Sequence, residues 1–235
     1  DYEEWNPEID QSIYQNYSID TIEKKSINKK NLLQEFGLTE SEASESIPLF
    51  GLVSRLTGQK GIDLLEQTLE FYLKRNALRV ILLGSGERRY EDFFRYLAHK
   101  YPKRALTYIG YSEKLSHKIT AGSDFFLVPS RFEPCGLTQL YALKYGSIPI
   151  VRATGGLADT VKEYHPALMD GDGFLFYQYS KKELSAAIKK ALSIYNKTPH
   201  WNAIRSNAMA KSFSSISCAQ QYINVFHWAL EKIRR

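Results

Sequence analysis

Cysteine is almost missing from this 235-residue sequence, with Cys135 and Cys218 the only two. That is too few for the disulfide framework on which small secreted domains rely. Long apolar runs are missing as well: the stretches 78–83 and 125–128 fall far short of the roughly 20 residues that cross a bilayer, so no membrane span is expected. The opening Asp1-Tyr2-Glu3-Glu4-Trp5 has neither the positive start nor the apolar middle of a secretory signal, and it lacks an initiator Met, as a fragment would. His99, His117, His165, His200 and His227 show no metal-ligand spacing to a second His or Cys, which argues against a metal site. Charge of one sign is not in large excess either. Lys and Arg number 31 against 26 Asp and Glu, and the formal +5 suits an anionic ligand without identifying one. The paired cations, such as Lys24-Lys25, Arg88-Arg89 and Lys189-Lys190, are scattered and lack an aromatic platform between them, so nucleic acid is not an expected partner. A reducing compartment, the cytoplasm or a plastid stroma, fits these absences.

What is present is material for one sizeable core, with 43% hydrophobic side chains. From residue 47 onward short apolar runs alternate with longer amphipathic stretches, the pattern of a parallel sheet with crossover helices. Strands are predicted at 47–54, 78–84, 105–110, 125–128, 148–151 and 173–176, mostly as continuous apolar runs suited to burial on both faces. Ile62, Leu65, Leu69, Tyr72 and Leu73 recur at helical spacing and predict the first crossover helix. Further helices are predicted at 87–101, 113–121, 136–145, 181–195 and 217–235. The reading divides the chain into a polar lead-in over 1–46, with at most a short helix near 30–37, a Rossmann-like domain over 47–212, and a terminal helix over 213–235.

Ligands of an open parallel sheet bind beyond the carboxyl ends of its strands, so the chemistry is sought in the loops that follow them. The first, Ser54-Arg55-Leu56-Thr57-Gly58-Gln59-Lys60-Gly61, sets two cations in a turn that opens a helix. A guanidinium, an ammonium and free helix N–H groups together suit a diphosphate, although on spacing alone an Arg and a Lys five apart are more often surface charges. Gly84-Ser85-Gly86 invites a dinucleotide reading, but Arg89 occupies the third glycine's position, leaving a tight turn and little support for an oxidoreductase. Tyr111 could present its ring to a planar base, or simply pack at a rim. The loop Pro129-Ser130-Arg131-Phe132-Glu133-Pro134-Cys135-Gly136-Leu137-Thr138-Gln139 is the richest. Pro134 blocks helix before it, Gly136 admits a ligand to the backbone, and the amides of Gly136, Leu137 and Thr138 can point at an anion while Glu133 accepts from hydroxyls. Cys135 has no His nearby in sequence to activate it as a nucleophile. Thr154-Gly155-Gly156-Leu157 reads equally as a plain turn or as a further phosphate or sugar contact.

Taken together and in this order, the loops resemble the bacterial glycogen synthases and plant starch synthases. The matching segments are Trp5-Asn6-Pro7 with Asp10, Val53 to Thr57 with Gln59-Lys60-Gly61, Leu83 to Gly86, Pro129 to Thr138, and Thr154 to Leu157 with Asp159-Thr160-Val161. They span nearly the whole chain. The resemblance implies the carboxyl-terminal half of a retaining, two-domain GT-B glucosyltransferase that moves glucose from ADP-glucose to the non-reducing end of an α-1,4-glucan. It implies Arg55 and Lys60 at the distal phosphate, Tyr111 on adenine, Glu133 with the backbone of Cys135 and Gly136 at the glucose hydroxyls, and the Leu137 and Thr138 amides at phosphate. It implies no cofactor and no metal. The family's amino-terminal domain is not in this sequence, so the resemblance further implies that this half needs it as partner and is inactive alone. A non-catalytic nucleotide or glucan binding module is the alternative.

Overall fold

The computed structural model describes residues 4–44, 46–213 and 215–233. Its centre is a six-stranded, wholly parallel sheet in the order β3-β2-β1-β4-β5-β6. The strands are β1 (Leu49–Val53), β2 (Arg79–Gly84), β3 (Ala105–Ile109), β4 (Phe125–Val128), β5 (Ile148–Arg152) and β6 (Phe174–Phe176), and each lies within a residue or two of its predicted run. Every residue of β2 and β4 is buried, as the continuous apolar runs require when helices cover both faces. β3 departs from that reading. It is an edge strand with one flank open, and its Tyr108 is 45% exposed.

Ten α-helices connect or flank the strands among the described residues: α1 (Lys25–Glu35), α2 (Glu40–Ala43), α3 (Ile62–Leu73), α4 (Arg88–Lys100), α5 (Glu113–Gly122), α6 (Thr138–Lys144), α7 (Gly156–Thr160), α8 (Lys181–Tyr195), α9 (Thr198–Ala210) and α10 (Ser215–Ile233). The crossover α3 buries Ile62, Leu65, Leu69, Tyr72 and Leu73, the face its periodicity marks out.

The residues before β1 are more ordered than their polarity suggests. A 3₁₀ turn over Ile19–Lys24 runs into α1, which starts five residues before the predicted short helix. The reason is chemical: α1 buries Lys25 and Asn28 beside Leu32 and Leu33, so polar residues occupy half of its inward face and blur the apolar period. The Lys25 ammonium donates to Ala121 O at 2.6 Å and Ser147 Oγ at 2.8 Å, and the Asn28 amide donates to Gln15 O at 2.8 Å, which makes that burial tolerable.

β1 pairs with β2 on one side and β4 on the other, so the chain direction across the sheet reverses between β1 and β4. The crevice beyond their carboxyl ends is the ligand position such a sheet offers.

Candidate functional site at the carboxyl ends of the strands

Two loops meet at that crevice. The segment after β1 ends in a short 3₁₀ turn, Gly58–Lys60, and the segment after β4 runs past it. They are joined backbone to backbone where Arg131 N donates to Gln59 O at 2.8 Å. Side chains reinforce the join: the Arg131 guanidinium pairs with Asp63 at 2.8 Å and lies over the Tyr179 ring at 4.3 Å. Burial alone would raise the Asp63 pKa, but the Tyr179 hydroxyl and the Arg131 guanidinium reverse this and hold the carboxyl below its ordinary range.

Within this frame Lys60 Nζ lies 2.6 Å from Glu133 Oε2. The same oxygen accepts from Ser130 Oγ at 3.1 Å, and Ser130 is fully buried. A carboxylate only 9% exposed is thus fixed in one rotamer by an ammonium from the first loop and a hydroxyl from its own. Lys60, Glu133, Gly136, Leu137 and Thr138 line one small cavity of about 60 Å³. Next to it, sharing Val53, Ser54 and Thr138, opens a larger cavity of about 330 Å³ lined by Arg55, Tyr111, Thr138 and the backbone of Gly84 and Gly110. Tyr111 stands 82% exposed at its mouth.

Seven of the eight residues singled out from sequence therefore line two adjoining cavities, and Cys135 lies outside both linings, exposed and outside any disulfide, with its thiol donating to Gly136 O at 3.8 Å. The two cations are not side by side. Arg55 belongs to the larger cavity and Lys60 to the smaller.

Gly136 has φ +75°, a left-handed conformation that lets the chain turn from the Glu133 segment into α6. The first-turn amides of α6 have no partner within the helix, and Leu137, Thr138 and Gln139 at that turn line the smaller cavity. The Gly155-Gly156 pair proves to be a brace. Gly156 N donates to Glu133 O at 3.1 Å, and a Cβ on Gly156 would lie 2.1 Å from Cys135 O, so only glycine lets α7 pack under the Glu133 loop.

Sequence reasoning missed most of the wall of the larger cavity, which includes Trp5, Glu113, Ser116, Thr120 and Tyr141. Trp5 is sandwiched between His117 (3.7 Å between ring centres, 18° between planes) and Tyr141 (4.0 Å, 6°). Beneath this stack the buried Asp10 accepts from Tyr145 Oη at 2.6 Å and from His117 Nδ1 at 2.8 Å. The one signal available was the Trp5-Asn6-Pro7 and Asp10 pattern itself, which carried no role by spacing alone.

No group of three or more His, Cys, Asp or Glu side chains among the described residues is arranged to hold a metal ion. No described helix is long and apolar enough to cross a membrane.

A parallel sheet in this strand order, with a cation–carboxylate pair and an aromatic-walled crevice at its switch point, is a Rossmann-like fold with a ligand-sized site, and residues 38–208 match the family model for glycosyl transferases group 1. The chain belongs to that family. Within it, the chain is similar to glycogen synthases. It is 44% identical over 235 residues to that of Fervidobacterium nodosum and 43% identical over 229 residues to that of Koribacter versatilis, covering 100% and 97% of this chain but 47% and 46% of theirs. In three dimensions it matches the catalytic domain of starch synthase IV from Arabidopsis thaliana bound to ADP and acarbose, with a TM-score of 0.84 and 32% identity over 98% of this chain and 48% of that one. The chain thus spans about half the length of the relatives it matches. The Rossmann-like parallel sheet with helices on both faces, expected from the sequence as the carboxyl-terminal half of a GT-B glycosyltransferase, is the one observed.

Proposed function

We propose that this chain is the donor-binding half of a retaining glucosyltransferase that takes glucose from ADP-glucose and adds it to the non-reducing end of an α-1,4-glucan. The observation that carries the reading is the 2.6 Å contact between Lys60 and Glu133 in the cavity that adjoins Arg55 and Tyr111. It unites a phosphate-seeking cation and a hydroxyl-seeking carboxylate from loops 73 residues apart, as a sugar diphosphate requires. Similarity to a starch synthase bound to ADP and acarbose supports ADP as the nucleotide and a glucan as the acceptor.

In this reading Tyr111 stacks on adenine and Arg55 and Lys60 neutralise the distal phosphate. The amides of Leu137 and Thr138 add hydrogen bonds to that phosphate, and Glu133 with the backbone of Cys135 and Gly136 holds the glucose hydroxyls. Charge develops on the departing diphosphate, so cations fixed there favour the transition state over the ground state. The acceptor hydroxyl attacks from the leaving-group side, which retains configuration. No resident cofactor or metal takes part. The other half of the acceptor cleft belongs to an amino-terminal domain like that of the relatives, and a cytoplasmic or plastid location suits the chemistry.

The test is a calorimetric titration of ADP into the wild type and two variants. Truncating a charge that pairs with a desolvated anion costs about 2–5 kcal/mol, and a solvated surface charge about 0–1. Arg55→Ala is expected to weaken ADP by roughly thirtyfold or more, at about 1.4 kcal/mol per tenfold, and AMP should bind less tightly than ADP. Arg88, whose side chain is 93% exposed, serves as the control, and Arg88→Ala should change little. Equal dissociation constants for Arg55→Ala and wild type would remove Arg55 from the site.

A further inference from the structure

Gln139 ends the loop that the sequence singles out as the richest, yet the donor-site reading gives it no part. Its side chain is fully buried in the first turn of α6 and lines the smaller cavity together with Glu133. The side-chain nitrogen donates to Gly136 O at 2.8 Å, to Cys135 O at 3.2 Å and to Thr160 Oγ1 at 3.2 Å. Only the nitrogen end of a carboxamide can face two carbonyls, so chemistry sets this orientation. The orientation has a cost, because Gln139 Oε1 is left buried with no hydrogen-bond partner. That oxygen lies against Gly136, where a Cβ would come within 2.4 Å of it.

The two carbonyls matter because a trans peptide is planar, with its N–H pointing opposite to its C=O. Among the described residues no peptide bond is cis. Tying Cys135 O and Gly136 O to Gln139 therefore turns the amides of Gly136 and Leu137 to the other side, where the loop is open and Leu137 is 55% exposed. No described residue accepts from either amide. Gly156 N does for the preceding peptides what Gln139 does for these, donating to Glu133 O at 3.1 Å and to Pro134 O at 3.3 Å. Thr160 closes the frame, accepting from Gln139 and donating to Gly156 O. The carbonyls of 133–136 are thus all held by α6 and α7, and the free amides opposite them are donors that seek an acceptor. We propose that Gln139 is a positioning residue of the donor site, which by holding the carbonyls of Cys135 and Gly136 aims the amides of Gly136 and Leu137 at the sugar diphosphate; this rests on the donor reading above.

Two variants test it in this chain: Gln139→Met, which fills similar space without a donor, and Thr160→Val, which removes the hydroxyl that the Gln139 amide meets, with Thr160→Ser as its control. The first readout needs no ligand. NMR order parameters of the Gly136 and Leu137 amides should stand at about 0.85 in the wild type and fall below about 0.6 in Gln139→Met. The second is calorimetric titration of AMP, ADP and ADP-glucose. Gln139→Met should leave AMP unchanged and weaken ADP-glucose by about tenfold, as the misdirection of a well-placed hydrogen bond implies, with ADP between them. Thr160→Val should shift the three ligands in the same order by a smaller factor, and Thr160→Ser should match the wild type. If Gln139→Met does not fold, the Thr160 pair carries both readouts. Unchanged order parameters, or a loss of equal factor for all three ligands, would overturn the proposal. A wild type that binds ADP but not ADP-glucose would overturn the donor reading instead, and the order parameters alone would then decide whether Gln139 holds the loop.

Discussion

Asp10 is 5% exposed and carries the group of contacts that fix the aromatic wall of the larger cavity at the strand ends. Burial alone would raise its pKa, yet hydrogen bonds from His117, Tyr145 and the Ser12 amide outweigh that and hold the carboxyl below its ordinary value of 3.8. The Tyr145 hydroxyl is pushed the other way, by burial and by its bond to the same carboxylate. Removing Asp10 would leave two buried donors without an acceptor and would free His117 beneath Trp5. Asp10→Ala should therefore lower stability by roughly 2–4 kcal/mol at neutral pH, measured by urea unfolding. The sign of the pH effect follows from linkage: a depressed folded-state pKa contributes stability that is full above the unfolded value and disappears as pH falls through the folded one. The gap between wild type and Asp10→Ala should then be widest at pH 5–7 and narrow below pH 4. A gap independent of pH would show that packing, not the charge, is what Asp10 supplies.

At the scale of elements, the strands were legible because burial on both faces leaves an unmistakable apolar run, as in Phe125–Val128. Two of the longer helices hid, wholly or in part, for different reasons. In α1 the inward face carries Lys25, whose ammonium is satisfied by Ala121 O 96 positions away, and Asn28, satisfied by Gln15 13 positions away in the loop before it. In α9, Trp201, Ile204 and Ala208 do keep helical spacing, but Pro199 stands close to the start, where proline is tolerated at the first turn and easily read as a break. The loops were legible in residue type but not in partnership. Nothing local in the sequence announces that Lys60 would meet Glu133, or that Gly156 would sit under Cys135, because both contacts arise only when the sheet brings loops together. The second of these is open to test. A Cβ at Gly156 would meet the carbonyl carbon and Cα of Cys135 at 2.7 Å as well as its oxygen, so backbone must move. Overpacking of this kind costs about 1–3 kcal/mol. Gly156→Ala should lose ADP-glucose affinity more than ADP affinity, because the displaced segment carries Glu133 while Arg55 and Tyr111 lie on other loops. Equal losses for the two ligands would mean that the brace supports the whole crevice and not the sugar end of it.

For the molecule as a whole, the crevice is one-sided. Its floor is the carboxyl edge of the sheet, its residues face outward, and Tyr111 at 82% and Leu137 at 55% exposed border it with no described element across from them. The helix α10 presents a second unpartnered surface, with Tyr222, Phe226 and Trp228 each at least 60% exposed. Relatives about twice as long have additional chain with which to cover such surfaces. Glucosyl transfer requires the acceptor hydroxyl, the anomeric carbon and the departing diphosphate to be held in one geometry with water excluded, and positioning of this kind accounts for a large part of enzymatic rate. On the function proposed above, the residues on this side would fix the diphosphate and the sugar, but not the approach of the glucan. The expected outcome is a chain that melts cooperatively, because its sheet and helices enclose a complete core, and that binds ADP, yet incorporates no radiolabelled glucose from ADP-glucose into glycogen above a protein-free control. Incorporation above that control would mean that acceptor positioning is built into this half as well. In that case Arg55→Ala, which on the proposed function removes charge neutralisation at the leaving group, should abolish the signal.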